Sequence, residues 1–518
     1  MKSYNLLDEP WLPVRYTDGQ VSEIGLMQVF ADAGRITALA ETAPPNLIAL
    51  YRLLLAVTHR ALTQQLGSWT VKDMVRYYRE GLPVEAIHAY LEHWRERFYV
   101  FHPDWPFMQV ALLATAEETS SKSKSWTQIA LESSSGDAPV VFDHSVDTRP
   151  SSILVSRLMR YLLGFLQFVP GGLVQTIRRS DNAGALANTA AVLPLGKTLA
   201  QTLCLALHPA KSDSAADLPA WERTQPDISA LCAEPTLASG PNDRYTRLSR
   251  AILLLADDEA CRRVRYLRFA VGLALDDDEH APDTMASYRE GSLGMVRLSF
   301  SEGRAIWRDL SSLVPDASGK HAQPAAVLSY SNALLERLGD GHDWVTLMVL
   351  GLSSKQAKLL RWRVDCFELP QRLLAQEDAA ELLRGYLRQS EELYASIRKT
   401  ASLMLAKAMP DSDHKDTRSR ARTIFDNGPT AAAYFSTLER RLPVLLESLA
   451  TDQVGQADRY WQSSRLEAAE MAWGTVCRQL GDSARALRAR AQSEPFYLGL
   501  IQSLRAHLAS PSEETSHV

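Results

Sequence analysis

The spacing of apolar and polar residues divides the chain into two parts at about residue 372. Before this point, short β-prone runs alternate with helical patterns such as residues 45–66, where apolar residues recur at intervals of three and four. Residues 153–168 form another apolar helical run, which ends at Pro170-Gly171-Gly172. The first part, residues 1–371, is therefore predicted to be a large mixed α/β domain.

After residue 372 the pattern is helical throughout. Apolar residues keep helical spacing through residues 383–404 and 438–449, and two further helical runs cover residues 466–480 and 483–508. Four helices joined by short polar loops predict a four-helix bundle over residues 372–510. The predicted fold class is α+β, a large mixed N-terminal domain with a C-terminal four-helix bundle, and residues 511–518 are predicted to be a disordered tail.

Three polar segments are predicted to be connections. Residues 117–136 are rich in serine and predict an exposed loop, and residues 209–243 predict a long connection with little core content. The basic run at residues 414–422 is predicted to be a solvated loop between the first two bundle helices, with DNA backbone as its possible contact.

Composition narrows the class of protein. The 518 residues are 46% hydrophobic, enough for a large core, yet no apolar run reaches the roughly 20 residues that span a bilayer, so we expect a cytoplasmic protein. A net charge of -5 means that any nucleic-acid contact must come from local basic clusters. The five scattered cysteines predict buried free thiols, and neither a metal nor another cofactor is predicted.

Residues 344–365 predict a β-hairpin with a cationic tip. Two β-prone runs, 344–350 and 359–364, flank a polar segment, GLSSKQAK. A narrow finger that ends in Lys-Gln-Ala suits insertion into duplex DNA. The lysine can reach a groove acceptor or a phosphate, the small alanine permits close approach, and the glutamine can replace lost base hydrogen bonds. The alternative is an ordinary solvated turn.

The N-terminal run at residues 5–14, NLLDEPWLPV, predicts an edge strand, because proline is tolerated where no ladder donor is lost. This run closely resembles the opening of the large subunit of type I-E CRISPR Cascade, the CasA family. Residues 102–109, HPDWPFMQ, the loop at residues 135–144, the cationic hairpin and the helical C-terminal third follow in the order of that family. The resemblance therefore spans almost the whole chain.

The resemblance implies a role for the hairpin tip. In the CasA family, a hairpin with Gln-Ala at its tip enters duplex DNA beside the protospacer-adjacent motif and starts strand separation. By that match Gln356 is the wedge, Lys355 and Ala357 are its motif-reading neighbours, and Lys358 is a backbone contact. The identity of the preferred motif does not follow from these residues.

A second implied site is the loop at residues 135–144, which is similar to the family's loop near the 5′ end of the guide RNA. Its polar start and proline would present Phe142 for stacking on a base, with a position in the core as the alternative. The neighbouring Asp143-His144 pair is the basis of a different hypothesis, a metal-dependent nuclease, which needs further ligands that the sequence does not place.

Two more segments match the family. Gly171 and Gly172 fall near its glycine-rich loop, which approaches the minor groove, and Arg178 and Arg179 follow as backbone contacts; a helix C-cap is the alternative for the glycines. Arg289 occupies the position of a lysine that reaches the motif beside the wedge, or else it is an ordinary exposed arginine.

The resemblance implies a non-catalytic large subunit of an RNA-guided surveillance complex. The expected partners are the backbone, small and guide-end subunits of Cascade, the CRISPR guide RNA, double-stranded target DNA and a helicase-nuclease. The alternatives are the metal-dependent nuclease and a helical scaffold without DNA contact. A nucleotide site at residues 193–198 is rejected, since the phosphate-binding motif needs glycine where the chain has Ala191.

Overall fold

The computed structural model describes residues 2–131, 149–209, 216–276, 282–339, 343–355 and 358–509, apart from the side chains of residues 353–361. The chain divides into two compact units. The first comprises Met1–Ile306 and Ser318–Glu368, and the second comprises Trp307–Ala317 and Leu369–Val518. No helix within the described ranges is long and apolar enough to cross a membrane.

The first unit combines helices with several small sheets, as the prediction of a mixed domain requires. Its helices are α1 Leu26–Ala31, α2 Pro44–Leu66, α3 Val71–Glu80, α4 Val84–His93, α5 Glu117–Ser120, α6 Val155–Phe168, α7 Leu199–Ala206, α8 Ile228–Cys232, α9 Pro241–Thr246 and α10 Ala326–Leu338. Short 3₁₀ turns lie at Arg95–Phe98, Ala111–Ala114, Trp126–Ile129 and Ala220–Glu222, and a further 3₁₀ turn, Ile306–Ser312, belongs almost entirely to the second unit.

The strands of the chain are β1 Ser3–Asn5, β2 Leu12–Tyr16, β3 Val21–Ile24, β4 Ile36–Leu39, β5 Tyr99–Phe101, β6 Lys124–Ser125, β7 Ile153–Leu154, β8 Gly172–Thr176, β9 Arg178–Asp181, β10 Ala190–Leu195, β11 Arg250–Ala256, β12 Arg263–Val271, β13 Tyr288–Gly291, β14 Gly294–Arg297, β15 Ala322–Gln323, β16 Trp344–Lys355 and β17 Lys358–Pro370. The sheet that matters most for function has the order β10-β16-β17. A second sheet has the order β14-β13-β15, and β8 pairs with β9 in a two-stranded sheet.

The long helix α2 forms the centre of the first unit. It begins with Pro44 and Pro45 in its first turn, where the missing amide donor costs nothing, and it confirms the helix predicted for residues 45–66. It packs against α4, α6 and α9, and its residues are buried on nearly every side. A helix that is apolar all round is typical of the core of a large domain.

The opening segment does not form an edge strand. Its β2 lies between β3 and β4, so that prediction was wrong. The structure tolerates Pro13 because its carbonyl accepts from the Ala40 amide (2.8 Å) just past the end of β4, so the absent proline donor falls at the end of the ladder. The indole of Trp11 is fully buried and donates to the Leu6 carbonyl (3.0 Å).

Two predicted connections contribute to the core instead. Within the segment predicted as an exposed loop, the side chains of Trp126 and Ile129 are buried. Within residues 209–243, Trp221 stacks on Phe107 with ring centroids 6.1 Å apart, and Leu231 is fully buried. Single large apolar residues anchor these irregular segments, and such isolated anchors produce no periodic signal.

The second unit is helical and contains the predicted bundle. Its helices are α11 Gln371–Ala375, α12 Glu377–Lys407, α13 Lys415–Asp426, α14 Thr430–Ala450, α15 Val454–Leu480 and α16 Ala484–Ala509. The four long helices α12, α14, α15 and α16 pack against one another, which confirms the α+β fold class with a C-terminal helical region. The basic run is part of α13 and is not a loop, because His414 caps the helix by accepting from the Asp416 amide.

Candidate nucleic-acid interface

The cationic hairpin consists of β16 and β17, which are neighbours in one sheet, and this confirms the predicted hairpin. The strands are longer than the sequence predicts, since β16 continues through Gly351 to Lys355 and β17 starts at Lys358. Glycine and serine have low strand propensity, but pairing between the two strands overrides this preference. The connection is therefore only Gln356-Ala357, and these two residues lie outside the described residues.

The base of this hairpin is anchored in the first unit. The buried strand β16 pairs with β10 from Thr346 as far as Gly351, which lies opposite Ala190. A Cβ atom on Gly351 would lie 2.4 Å from the Thr189 carbonyl oxygen, so only glycine permits this close approach. Beyond Gly351 the strands β16 and β17 extend past the end of β10.

The segment that carries Arg289 is attached to the other edge of β10. The Val192 amide donates to the Met285 carbonyl (2.9 Å), and the Ala190 amide donates to the Leu298 carbonyl (2.8 Å). Arg289 itself lies on β13, opposite Val296 of β14. The structure thus connects the predicted wedge hairpin and the Arg289 segment through a single strand.

The two glycines do not cap the preceding helix. The residue that caps α6 is Val169, whose amide donates to the Phe165 carbonyl (2.8 Å), so the alternative of a glycine C-cap is wrong. Gly172 is the first residue of β8 and has a φ of 151°, a conformation that favours glycine. Gly171 and Gly172 therefore lead into the short hairpin β8–β9.

The two arginines of this hairpin differ in their surroundings. Arg178 donates to the Asp181 carboxylate (2.7 Å) and to the carbonyls of Ala233 (2.7 Å) and Ser180 (2.9 Å). Arg179 is exposed to solvent. Arg179 is consequently the better placed of the two for a phosphate contact, and both assignments stay predictions.

Sequence reasoning missed the group that holds this hairpin, Arg250 with Asp181. The buried Arg250 guanidinium lies 3.1 Å from the Asp181 carboxylate and donates to the carbonyls of Pro170 and Asn182, both at 2.8 Å. Burial lowers the pKa of Arg250, and the nearby Asp181 charge opposes that shift. The sequence feature that could have indicated this pair is an arginine directly before the apolar run AILLLA of β11.

Several predicted positions lie outside the described residues. They include Phe142, the Asp143-His144 pair and the two residues at the hairpin tip. The side chains of Lys355 and Lys358 are not described either. In the ranges that are described, no group of three or more His, Cys, Asp or Glu residues is arranged to hold a metal ion.

Two amides of the loop at residues 193–198 are already bonded within the protein. The Gly196 amide donates to the Thr202 hydroxyl (3.0 Å), and the Lys197 amide donates to the Gln201 side chain (3.1 Å). A phosphate-binding loop needs such amides for its ligand. These contacts support the rejection of a nucleotide site.

All five cysteines are free thiols, as predicted, but the prediction of burial was wrong for Cys232 and Cys366, which are exposed, and Cys477 is only half-buried. Cys232 ends the short helix α8, and Cys366 lies on the solvent face of β17. Cys204 and Cys261 are buried. Burial raises the pKa of the Cys204 thiol to about 12, which makes this thiol unreactive at neutral pH.

Comparison with known proteins decides the family. A model of the CRISPR-associated protein Cse1 family matches residues 5–479. The chain belongs to the Cse1 family. The CRISPR-associated protein CasA/Cse1 of Thermus thermophilus is 30% identical over 514 residues, which cover 97% of this chain and 98% of that protein. The resemblance to the large subunit of type I-E Cascade, the CasA family, is thus confirmed.

Solved structures agree with this family. The structure of Thermus thermophilus CasA (Cse1) superimposes with a TM-score of 0.82 at 28% identity, covering 97% of this chain and 100% of that one. A chain of a CRISPR RNA-guided surveillance complex superimposes with a TM-score of 0.74 at 20% identity, covering 98% of this chain and all of that one. The second likeness shows the shared fold.

Proposed function

We propose that this Cascade large subunit recognises a short motif in duplex DNA through the minor groove and starts strand separation with Gln356. The observation that carries the proposal is the hairpin β16–β17, whose strands end at Lys355 and begin at Lys358, so that Gln356-Ala357 lies between them in the sequence. The pairing of β16 with β10 anchors the base of this hairpin in the first unit, which supports the use of its tip as a wedge. The Arg289 segment, attached to the same strand β10, supports the assignment of a second contact beside the wedge.

The proposed mechanism divides recognition between protein and RNA. Lys355, Ala357 and Arg289 read the motif, while Gly171 and Gly172 let the backbone approach the groove. Opening one base step costs on the order of a few kcal/mol, which the other DNA contacts offset. The guide RNA then reads the remaining sequence by base pairing, a division of labour found in other RNA-guided effectors.

The remaining roles are assigned by domain. Residues 1–371 recognise the motif, with Phe142 near the guide RNA and Arg178, Arg179 and Lys358 on the DNA backbone. The helical part, residues 372–510, contacts the other Cascade subunits and the displaced strand. The large domain recruits a helicase-nuclease after strand opening, and the subunit itself performs no catalysis.

The direct test uses assembled complexes that carry Gln356→Ala or Lys355→Ala. We expect each variant to bind and open a motif-matched duplex about 5- to 150-fold less well, since a lost wedge or base contact costs roughly 1–3 kcal/mol. The matched control is Gln20→Ala, which removes an exposed glutamine beside the turn of another hairpin, β2–β3. Wild-type binding and opening by both variants would contradict the wedge assignment.

Two alternative functions predict different results. A metal-dependent nuclease that uses Asp143-His144 predicts DNA cutting by the isolated chain with a divalent metal. A helical scaffold without DNA contact predicts no salt-dependent DNA affinity, whereas phosphate contacts make binding weaken steeply as salt increases.

A further inference from the structure

A single buried arginine links two of the proposed DNA-contact segments. Arg52 lies in the middle of the apolar helix α2, and its side chain is fully buried. One guanidinium nitrogen donates to the Gln167 side-chain oxygen (2.8 Å), and another donates to the Asp283 carboxylate (2.5 Å). The guanidinium also lies over the ring of Tyr245, 4.7 Å from its centroid.

The first partner leads to the glycines. Gln167 is the next-to-last residue of α6, four positions before Gly171, and its side-chain nitrogen donates to the Tyr245 carbonyl (2.9 Å). Its backbone carbonyl accepts from the Leu186 amide (2.8 Å), which lies on the return path from β9 to β10. The contacts of Gln167 therefore hold the chain both before the glycine segment and after the hairpin β8–β9.

The second partner leads to Arg289. Asp283 lies six positions before Arg289, and its carboxylate also accepts from the Met285 amide (3.0 Å). The neighbouring Thr284 hydroxyl bonds to the Tyr245 hydroxyl (2.6 Å), which closes the network back onto the residue beneath the arginine. Met285 is in turn bonded to β10, the strand that anchors the wedge hairpin.

We propose that Arg52 is a positioning residue that sets the spacing between the Gly171-Gly172 segment and the Arg289 strand, and thereby the selectivity of the subunit for its DNA motif. The inference rests on the proposed function of these two segments. Arg52 touches no DNA and acts through Gln167 and Asp283. Its planar guanidinium has donors in fixed directions, so it bridges two partners at one separation, which a lysine cannot reproduce.

The test measures the ratio of the affinities of assembled complexes for motif-matched and motif-mutated duplexes. We expect Arg52→Lys, which keeps the charge and loses the fork, to lower this ratio about fivefold or more, a typical strength for coupling between sites. Affinity for the motif-mutated duplex and its salt dependence should not change, because the phosphate contacts remain. A residue that only supports the fold would not change this ratio selectively.

The matched control is Arg60→Lys. Arg60 lies on the same helix and forms a two-bond ion pair with Glu222 at 2.7 Å, away from the proposed DNA segments in the hydrogen-bond network. Gln167→Met provides a second test if Arg52→Lys complexes do not assemble, since it removes one arm of the bridge while keeping the side-chain length. We expect it to lower the ratio in the same direction.

The outcomes separate the two proposals. If the wild-type complex does not distinguish the duplexes, the proposed function is wrong, and the role of Arg52 falls with it. If the wild type distinguishes them and Arg52→Lys and Gln167→Met do so equally well, only the positioning role is wrong. An equal loss of the ratio in Arg60→Lys would also overturn it, because that result indicates a general loss of packing.

Discussion

The two units of this protein place their arginine–carboxylate pairs differently. In the first unit, Arg52–Asp283 and Arg250–Asp181 are buried at both ends. In the second unit, the pairs that join helices lie at the surface; Arg505–Glu470, for example, has both side chains 51% exposed. The difference follows from the backbone: helices satisfy their own carbonyl groups, whereas the irregular segments of the first unit need buried donors.

The buried arginines of the first unit bear on the proposed DNA contacts. Buried charges are costly unless they are paired, so a buried ion pair with further hydrogen bonds favours the one arrangement of its partners that keeps these contacts. The segments proposed to contact DNA are irregular hairpins and short strands, and buried arginines hold their ends. The helical unit also buries Arg384 and Arg465, but the carboxylates that pair with Arg384 are exposed. Its core otherwise combines apolar side chains with a few hydroxyl and indole contacts, such as Trp461 to Ser390 (3.1 Å).

The largest effect is expected from Arg250→Met. This change removes one of the two arginine partners of the buried Asp181 carboxylate, leaving Arg178, and it also removes the donor to the carbonyls of Pro170 and Asn182. We therefore expect a loss of about 3–5 kcal/mol in the free energy of unfolding. Urea unfolding measures the loss. Amide hydrogens of β8–β9 should exchange faster than in the wild type, whereas those of the second unit should exchange at the wild-type rate. Protection of β8–β9 equal to wild type would contradict the statement that buried arginines hold the irregular segments of the first unit.

The helical unit is expected to depend on apolar packing. Leu383 of α12 is fully buried, and Leu383→Ala should destabilise the second unit by about 2–5 kcal/mol through lost burial and a residual cavity. Leu403→Ala is the control on the same helix, because Leu403 is 44% exposed. Hydrogen exchange in the helices of the second unit measures the loss of stability in each variant. Similar losses in the two variants would show that this apolar core is not the main source of the unit's stability.

A pH effect is expected from His59 in the first unit. Burial, with the charges of Arg60 and His208, lowers its pKa to about 3, and Nδ1 accepts from the Asn242 amide group (2.9 Å). Below the usual pKa of about 6.5 the unfolded chain binds a proton that the folded chain does not. Stability should therefore fall with decreasing pH by up to about 1.4 kcal/mol per pH unit.

The measurement for His59 is the slope of unfolding free energy between pH 6.5 and 5. A His59→Gln variant should be less stable at neutral pH and should have a shallower slope, because it lacks the titrating ring. Identical slopes for wild type and variant would mean that His59 is protonated in the folded state, and its buried, neutral state would then be wrong.

The smallest effect is expected from Arg505→Met. Its pair with Glu470 is solvated, so we expect less than about 1 kcal/mol of destabilisation, and less still in high salt. Urea unfolding at low and high salt checks both statements. A loss comparable to that of Arg250→Met would remove the distinction between the two units.

The sequence predicted the long periodic elements well. The helices predicted for residues 45–66, 153–168 and 483–508 appear within about two residues of their predicted bounds, because a buried helical face repeats every three to four positions. The other three bundle helices were predicted too short, since α12, α14 and α15 begin at Glu377, Thr430 and Val454, ahead of the predicted starts at 383, 438 and 466. The cationic hairpin was also predicted, although pairing extends its strands. Trp126, Trp221 and the central position of β2 were missed, since each depends on contacts distant in sequence.

The sequence by itself determined the family, the α+β class and the hairpin that ends in Gln356-Ala357, because periodicity and short motifs are local properties. Only the tertiary structure decided that the hairpin and the Arg289 segment attach to opposite edges of β10, and that Arg52 joins Gln167 to Asp283. These residues lie 115 and 231 positions from Arg52 along the chain. No local pattern encodes such a contact, because the burial that makes it necessary exists only after the chain has folded.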